Sequence, residues 1–125
     1  VTAYGNAILA NPRFIAEQPK AVAGFLRAFN RGMRETAANY AEGVKILKQR
    51  DSLLDEATEL RRLRGLFESF VLTPTVRAEG FGQANRVRID QMVKDVSTVF
   101  GVKQMPDPAT VFNDSFLPPA AERRL

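Results

Sequence analysis

Residues 19–39 read PKAVAGFLRAFNRGMRETAAN. Val22, Phe25, Leu26, Phe29, Met33 and Ala37 recur at three- and four-residue spacing, the period of one helix face. Lys20, Arg27, Arg31 and Arg34 fall on the opposite side. A third flank carries only small residues: Ala21, Gly24, Ala28 and Gly32. A glycine inside a helix costs about 1 kcal/mol relative to alanine. Two of them aligned on one flank predict the close approach of another backbone, as tight helix packing rather than a membrane dimer motif. Pro19 sets the start, because it fixes its own φ and restricts Gln18 before it.

The neighbouring segments read as helices too. Asn11-Pro12 opens a short one, with Asn as cap and Pro at the first helical position. Asn39-Tyr40-Ala41-Glu42 has the capping-box pattern and starts a helix ending near Arg50. Asp51 or Asp55 caps the next, whose stripe is Leu60, Leu63, Phe67, Phe70 and Val71. Thr73-Pro74 starts a further turn, and EGFGQAN (79–85) is a glycine-bearing loop. Residues 85–100 carry the stripe Ile89, Met92, Val93, Val96, Val99 and Phe100, with Gly101 as a natural stop. The remainder holds four of the seven prolines, and predicts a short helix over 107–112 followed by an extended tail.

VTAYGNAILA (1–10) breaks the pattern. Its β-branched and aromatic residues predict a strand, interrupted at Tyr4, Gly5 and Asn6. The expected fold class is therefore mainly α, with one N-terminal strand and about six helices. A lone strand leaves its N–H and C=O groups without partners. A sheet is expected elsewhere: in another part of the same polypeptide, in a second copy, or by pairing with the tail.

Composition narrows the chemistry. The 125 residues suffice for one domain with a modest core. With 45% hydrophobic and 26% charged residues, the balance is that of a globular protein. Cysteine and histidine are both absent. That removes thiol nucleophiles, disulfides, the usual zinc sites and imidazole bases. No catalytic arrangement, metal site or cofactor site emerges from the residues that remain. The net charge of +4 is mild.

Five candidate groups have a plain structural reading beside a functional one. The basic stripe Lys20, Arg27, Arg31 and Arg34 has the sign to meet a phosphate backbone, but Glu17 and Glu35 lie near it and no aromatic residues interleave. A solvated helix face is the better reading. ELRRLRGLFE (59–68) places Arg64 and Glu68 four apart, as on an exposed helix. Asp51, Asp55, Glu56 and Glu59 sit at a helix start, where the dipole alone favours acids. Gly80-Phe81-Gly82 lacks the strand before it and the lysine after it that a phosphate loop needs. Tyr4, Gly5 and Asn6 combine a stacking ring, an open backbone and an amide. A strand irregularity with Tyr4 in the core is the better reading of the residues alone.

Four stretches together resemble one bacterial family: YGNAILANPRFIAEQP (4–19), FLRAFNRGMRE (25–35), LLDEATELRRLRGLFESFVLTPTVRAEGFG (53–82) and DPATVFNDSFLPPAAERR (107–124). The chain is similar to the C-terminal portion of extracytoplasmic substrate-binding proteins of ABC importers. The type is that of the nitrate, sulfonate, taurine and thiamine-pyrimidine-precursor binders. The resemblance implies a fragment of a two-lobed α/β fold with a solute cleft between the lobes. Residues 1–10 become a strand near the interlobe crossing, and 11–125 the helical C-terminal part of the first lobe with a wrapping tail. It implies capture of a small-molecule solute and delivery to an ABC permease, without catalysis, in the periplasm or another extracytoplasmic space as in a Gram-negative bacterium. It places Tyr4, Gly5 and Asn6 near the ligand. It calls for no cofactor, no metal and no nucleic acid. An isolated chain of this kind is expected to self-associate through its orphan strand and uncovered apolar surface. The alternative is an independent helical interaction module that binds an anionic partner through the basic face of 19–39.

Overall fold

A computed structural model describes residues 3–125. Among them the chain forms seven α-helices: α1 Pro12–Glu17, α2 Pro19–Ala38, α3 Tyr40–Arg50, α4 Glu56–Leu66, α5 Pro74–Glu79, α6 Arg86–Val99 and α7 Pro108–Val111. A π-helical turn, Phe67–Val71, continues α4, and a 3-10 turn, Ala120–Arg123, lies near the C-terminus.

The mainly helical class is as the periodicities require, but the N-terminal strand is not formed. Residues 3–11 are irregular, and the first two positions of the expected strand, Val1 and Thr2, lie outside the described residues. The reason is the lack of a ladder. A strand persists only when a neighbour takes its hydrogen bonds, and no strand is present among the described residues.

The helix boundaries follow local chemistry. Asn11 Oδ1 accepts from the Arg13 amide at 2.8 Å, with Pro12 at the first helical position. Asn39 Oδ1 accepts from the Glu42 amide at 3.1 Å. The capping box is only half made, because the Asn39 amide donates to the Glu35 and Thr36 carbonyls at the end of α2. Asp55, not Asp51, caps α4, accepting from the Thr58 amide at 2.8 Å. Asp51 accepts from the Leu53 amide and closes a turn. Gly101, at φ 60°, ends α6 in a Schellman arrangement. The Val102 amide reaches the Ser97 carbonyl at 2.9 Å and the Gly101 amide reaches Thr98 at 3.3 Å.

The chain divides into two compact units. The first comprises residues 3–22 and 83–116. Its core is Ala84, Ile89 and Val93, with Tyr4, Met92 and Phe112 packed against it. Helix α7 packs on α6. The stripe of α6 is covered along its first half only. Ile89 and Val93 are 2% and 5% exposed, whereas Val99 and Phe100 are 75% and 77% exposed.

The second unit comprises residues 23–82 and 117–125. Helix α3 packs on α4, burying Val44 and Phe67, with the Tyr40 and Phe67 rings 5.3 Å apart. Gly43 permits this approach. A Cβ on it would stand 3.2 Å from Thr36 Cγ2 and 3.6 Å from Leu63 Cδ2. The predicted α4 stripe fails at Phe70, which is 76% exposed. The π turn explains it. The Leu72 amide reaches back five residues to the Phe67 carbonyl at 2.7 Å, and the extra residue rotates everything after Phe67 off the buried face. Among the described residues Arg64 and Glu68 form no ion pair. In α2 the one buried residue is polar: Asn30, 2% exposed, donates from Nδ2 to the Leu26 carbonyl at 3.0 Å. Its Oδ1 is buried without a partner.

Candidate functional site

Tyr4, Gly5 and Asn6 are not treated alike by the fold. Tyr4 is half-buried and tied to the start of α6. Its hydroxyl accepts from the Asn85 amide at 2.8 Å, and the Arg88 guanidinium stands 4.1 Å from its ring centroid. Arg88 Nη2 also donates to the Ala3 carbonyl at 2.8 Å. Asn85 uses its side chain to cap α6, accepting from the Arg88 amide at 3.1 Å. The segment is thus stapled to α6 by a tyrosine hydroxyl and an arginine that covers one face of the ring. Gly5 and Asn6 are exposed, and a Cβ on Gly5 would meet nothing within 4 Å. Of the three, Tyr4 is held by its side chain, and Asn6 is exposed.

A shallow opening of about 510 Å³ lies in the same unit, lined by Arg86, Asp90, Asp107, Pro108 and Ala109. Arg86 is already engaged there, donating to the Phe112 carbonyl and the Asp114 carboxylate, both at 3.0 Å. Asp107 is engaged too, capping α7 by accepting from the Ala109 amide at 2.9 Å. Arg86 and Asp107 thus serve the connection between α6 and α7.

In the second unit an opening of about 350 Å³ lies along α2, lined by Gly24, Arg27, Ala28, Arg31, Arg34 and Glu122. The acids that the sequence sets near the stripe neutralise little of it. Glu17 pairs with Arg13 at 2.7 Å and Glu35 with Arg31 at 2.7 Å. That contact holds the Arg31 pKa above its ordinary value, through the hydrogen bond first and the charge second. Among the described residues Arg34 reaches only the Glu122 carbonyl, at 3.5 Å, and Arg27 has no polar partner. The expected close approach on the small-residue flank does not occur. Nothing lies within 4 Å of a Cβ built on Gly24 or Gly32.

The remaining candidates resolve into structural roles. In the acidic cluster Asp51 closes a turn, Asp55 caps α4, Glu56 pairs with Lys48 at 3.2 Å, and Glu59 pairs with Arg62 at 2.7 Å. The Thr58 hydroxyl and amide, hydrogen-bonding to Asp55, hold its carboxyl below the ordinary 3.8, with a smaller contribution from the charges of Arg61 and Lys48. Gly80-Phe81-Gly82 forms the turn that receives the tail. Both glycines have positive φ, 88° and 89°. A Cβ on Gly80 would stand 3.0 Å from Arg123 Cβ, and one on Gly82 would stand 3.2 Å from Leu117 Cδ2. Sequence reasoning missed Arg123 altogether. It is 6% exposed, donates from Nε to the Pro118 carbonyl at 2.8 Å and from Nη1 to the Phe81 carbonyl at 3.0 Å. Two glycines flanking an aromatic residue were the available signal.

No helix among the described residues is long and apolar enough to cross a membrane. Comparison with known proteins finds no family model, no curated protein and no solved structure that matches this chain.

Proposed function

We propose that this chain is part of the solute-binding component of an ABC importer, an extracytoplasmic protein that captures a small molecule between two lobes and delivers it to the membrane permease. Binding and delivery, without catalysis, are the proposed activity. The order and spacing of the four quoted stretches support this reading. The structural observation that carries it is the half-covered stripe of α6. Ile89 and Val93 are buried, and nearly two turns further on Val99 and Phe100 stand three-quarters exposed on the same run. An amphipathic helix is normally covered along its whole apolar face, because helix and sheet layers bury such faces against one another. A layer supplied by more of the same polypeptide completes the stripe. Residues 5–10, which make no hydrogen bonds among the described residues, then become the strand that their composition favours.

In the proposed assembly Asn6 and the Gly5 backbone face the solute, with Tyr4 as their anchor on α6. The isolated chain is expected to self-associate, since the uncovered apolar positions of α6 are available to another copy.

The test compares Phe100→Ser in two contexts: the chain alone, and the chain extended by the coding region that precedes it. In the chain alone the substitution leaves stability within about 0.5 kcal/mol. In the extended protein it costs about 3 kcal/mol, as expected for a buried aromatic. The extended protein also gains thermal stability with at least one small anionic or heteroaromatic solute. An equal cost in both contexts, or an extension that encodes no α/β lobe, overturns the proposal.

A further inference from the structure

The exposed face of α2 carries three arginines in helical register beside a floor without side chains. Arg27, Arg31 and Arg34 lie on one side, spanning about 10 Å along the axis at 1.5 Å per residue. Gly24, Ala28 and Gly32 lie along the adjoining flank, and nothing stands within 4 Å above either glycine. Glycines inside a helix reduce its stability, and here no part of the described chain packs into the room they leave. Among the described residues Arg27 is without a polar partner, and Arg34 makes only a 3.5 Å contact to a carbonyl.

We propose that this face docks an acidic helix of a protein partner. The partner's backbone would approach over Gly24, Ala28 and Gly32, and its carboxylates would meet the guanidinium groups of Arg27, Arg31 and Arg34. Carboxylates three or four residues apart on one helix face repeat at the same axial spacing as these arginines. Each guanidinium offers a planar fork that matches a carboxylate. A phosphate polymer fits less well. Glu35 is hydrogen-bonded to Arg31 and Glu122 stands at the rim of the opening. No aromatic residue lines the opening to stack on bases. This inference is independent of the importer reading.

The experiment titrates the full chain into a fluorescein-labelled, alanine-based helical peptide with glutamates at i, i+4 and i+7, followed by anisotropy. Saturable binding is expected, weakened about tenfold or more by Arg27→Glu. Ala28→Leu, which changes no charge, is expected to weaken it comparably by filling the floor. Arg27 and Ala28 are both exposed, so neither substitution disturbs a core; circular dichroism confirms that each variant keeps its helix content. A peptide with glutamine in place of glutamate must lose binding to the unaltered protein. Absence of saturable binding overturns the proposal. So does an Ala28→Leu variant that binds like the parent, which would reduce the face to diffuse charge. Tighter binding of a DNA duplex or of anionic vesicles, insensitive to Ala28→Leu, also overturns it.

Discussion

Arg123 brackets the main chain of Phe81. The Phe81 amide donates to the Arg123 carbonyl at 2.8 Å, and Arg123 Nη1 donates to the Phe81 carbonyl at 3.0 Å. One residue of the tail thereby satisfies both backbone groups of the residue between two left-handed glycines. The tail is a structural part of its unit, fixed by a buried guanidinium.

Replacing Arg123 by methionine keeps much of the volume but strips the Phe81 and Pro118 carbonyls of their donor. Buried carbonyls left without partners cost about 1–3 kcal/mol each, so a loss of about 3 kcal/mol is expected. Thermal unfolding of Arg123→Met beside Arg124→Met reads it. The neighbouring arginine is exposed and should change stability by no more than about 0.5 kcal/mol. Equal effects from the two variants would contradict the bracket.

Gly80 and Gly5 should respond oppositely to alanine. At Gly80 the positive φ and the 3.0 Å approach of Arg123 Cβ both oppose a side chain. A cost of about 2 kcal/mol is expected. At Gly5 φ is not positive and the space is open, so Gly5→Ala is expected to be neutral within about 0.5 kcal/mol. Denaturant midpoints of the two variants decide the matter.

Tyr4→Phe keeps the ring under Arg88 and removes the acceptor of the Asn85 amide. The expected loss is about 1 kcal/mol. Faster hydrogen exchange at the Asn85 amide should accompany it. Unchanged exchange there would show that the hydroxyl contact does not hold the segment.

Asp55 makes stability depend on pH in a definite direction. Its folded pKa lies below its ordinary value because Thr58 hydrogen-bonds to the carboxylate. Its contribution is fully present above the unfolded carboxylate range and is lost as pH falls through the folded value. Asp55→Asn retains an acceptor but not the charge. The Tm difference between parent and variant should be largest near neutral pH and shrink on acidification. A difference independent of pH would show that the charge contributes nothing.

What could be read in advance was local. Asn11, Asn39, Thr73, Asn85 and Asp107 announce helix starts because a short side-chain oxygen satisfies an amide within three residues of itself. Gly101 announces a stop for the corresponding reason at the other end. The stripe of α6 picked out Ile89 and Val93 correctly but also Val99 and Phe100, because periodicity states which face is apolar and not what covers it. The ring and hydroxyl of Tyr4 are legible in the sequence, but not the group they meet. The hydrogen-bond partner that defines its role, the Asn85 amide, lies 81 positions away.

The sequence by itself determined the helices, their caps and the absence of histidine and cysteine chemistry, since each depends on residue type and near neighbours. Only the tertiary structure decided that residues 3–11 form no strand, that a π turn carries Phe70 off the buried face, and that Arg123 rather than a phosphate occupies the Gly80–Gly82 turn. It also decided that Glu17 neutralises Arg13 and leaves Arg27 open. Each of those outcomes turns on which group reaches a backbone amide, a carbonyl or a charge first. That competition is settled by distances in space that residue spacing along the chain does not contain.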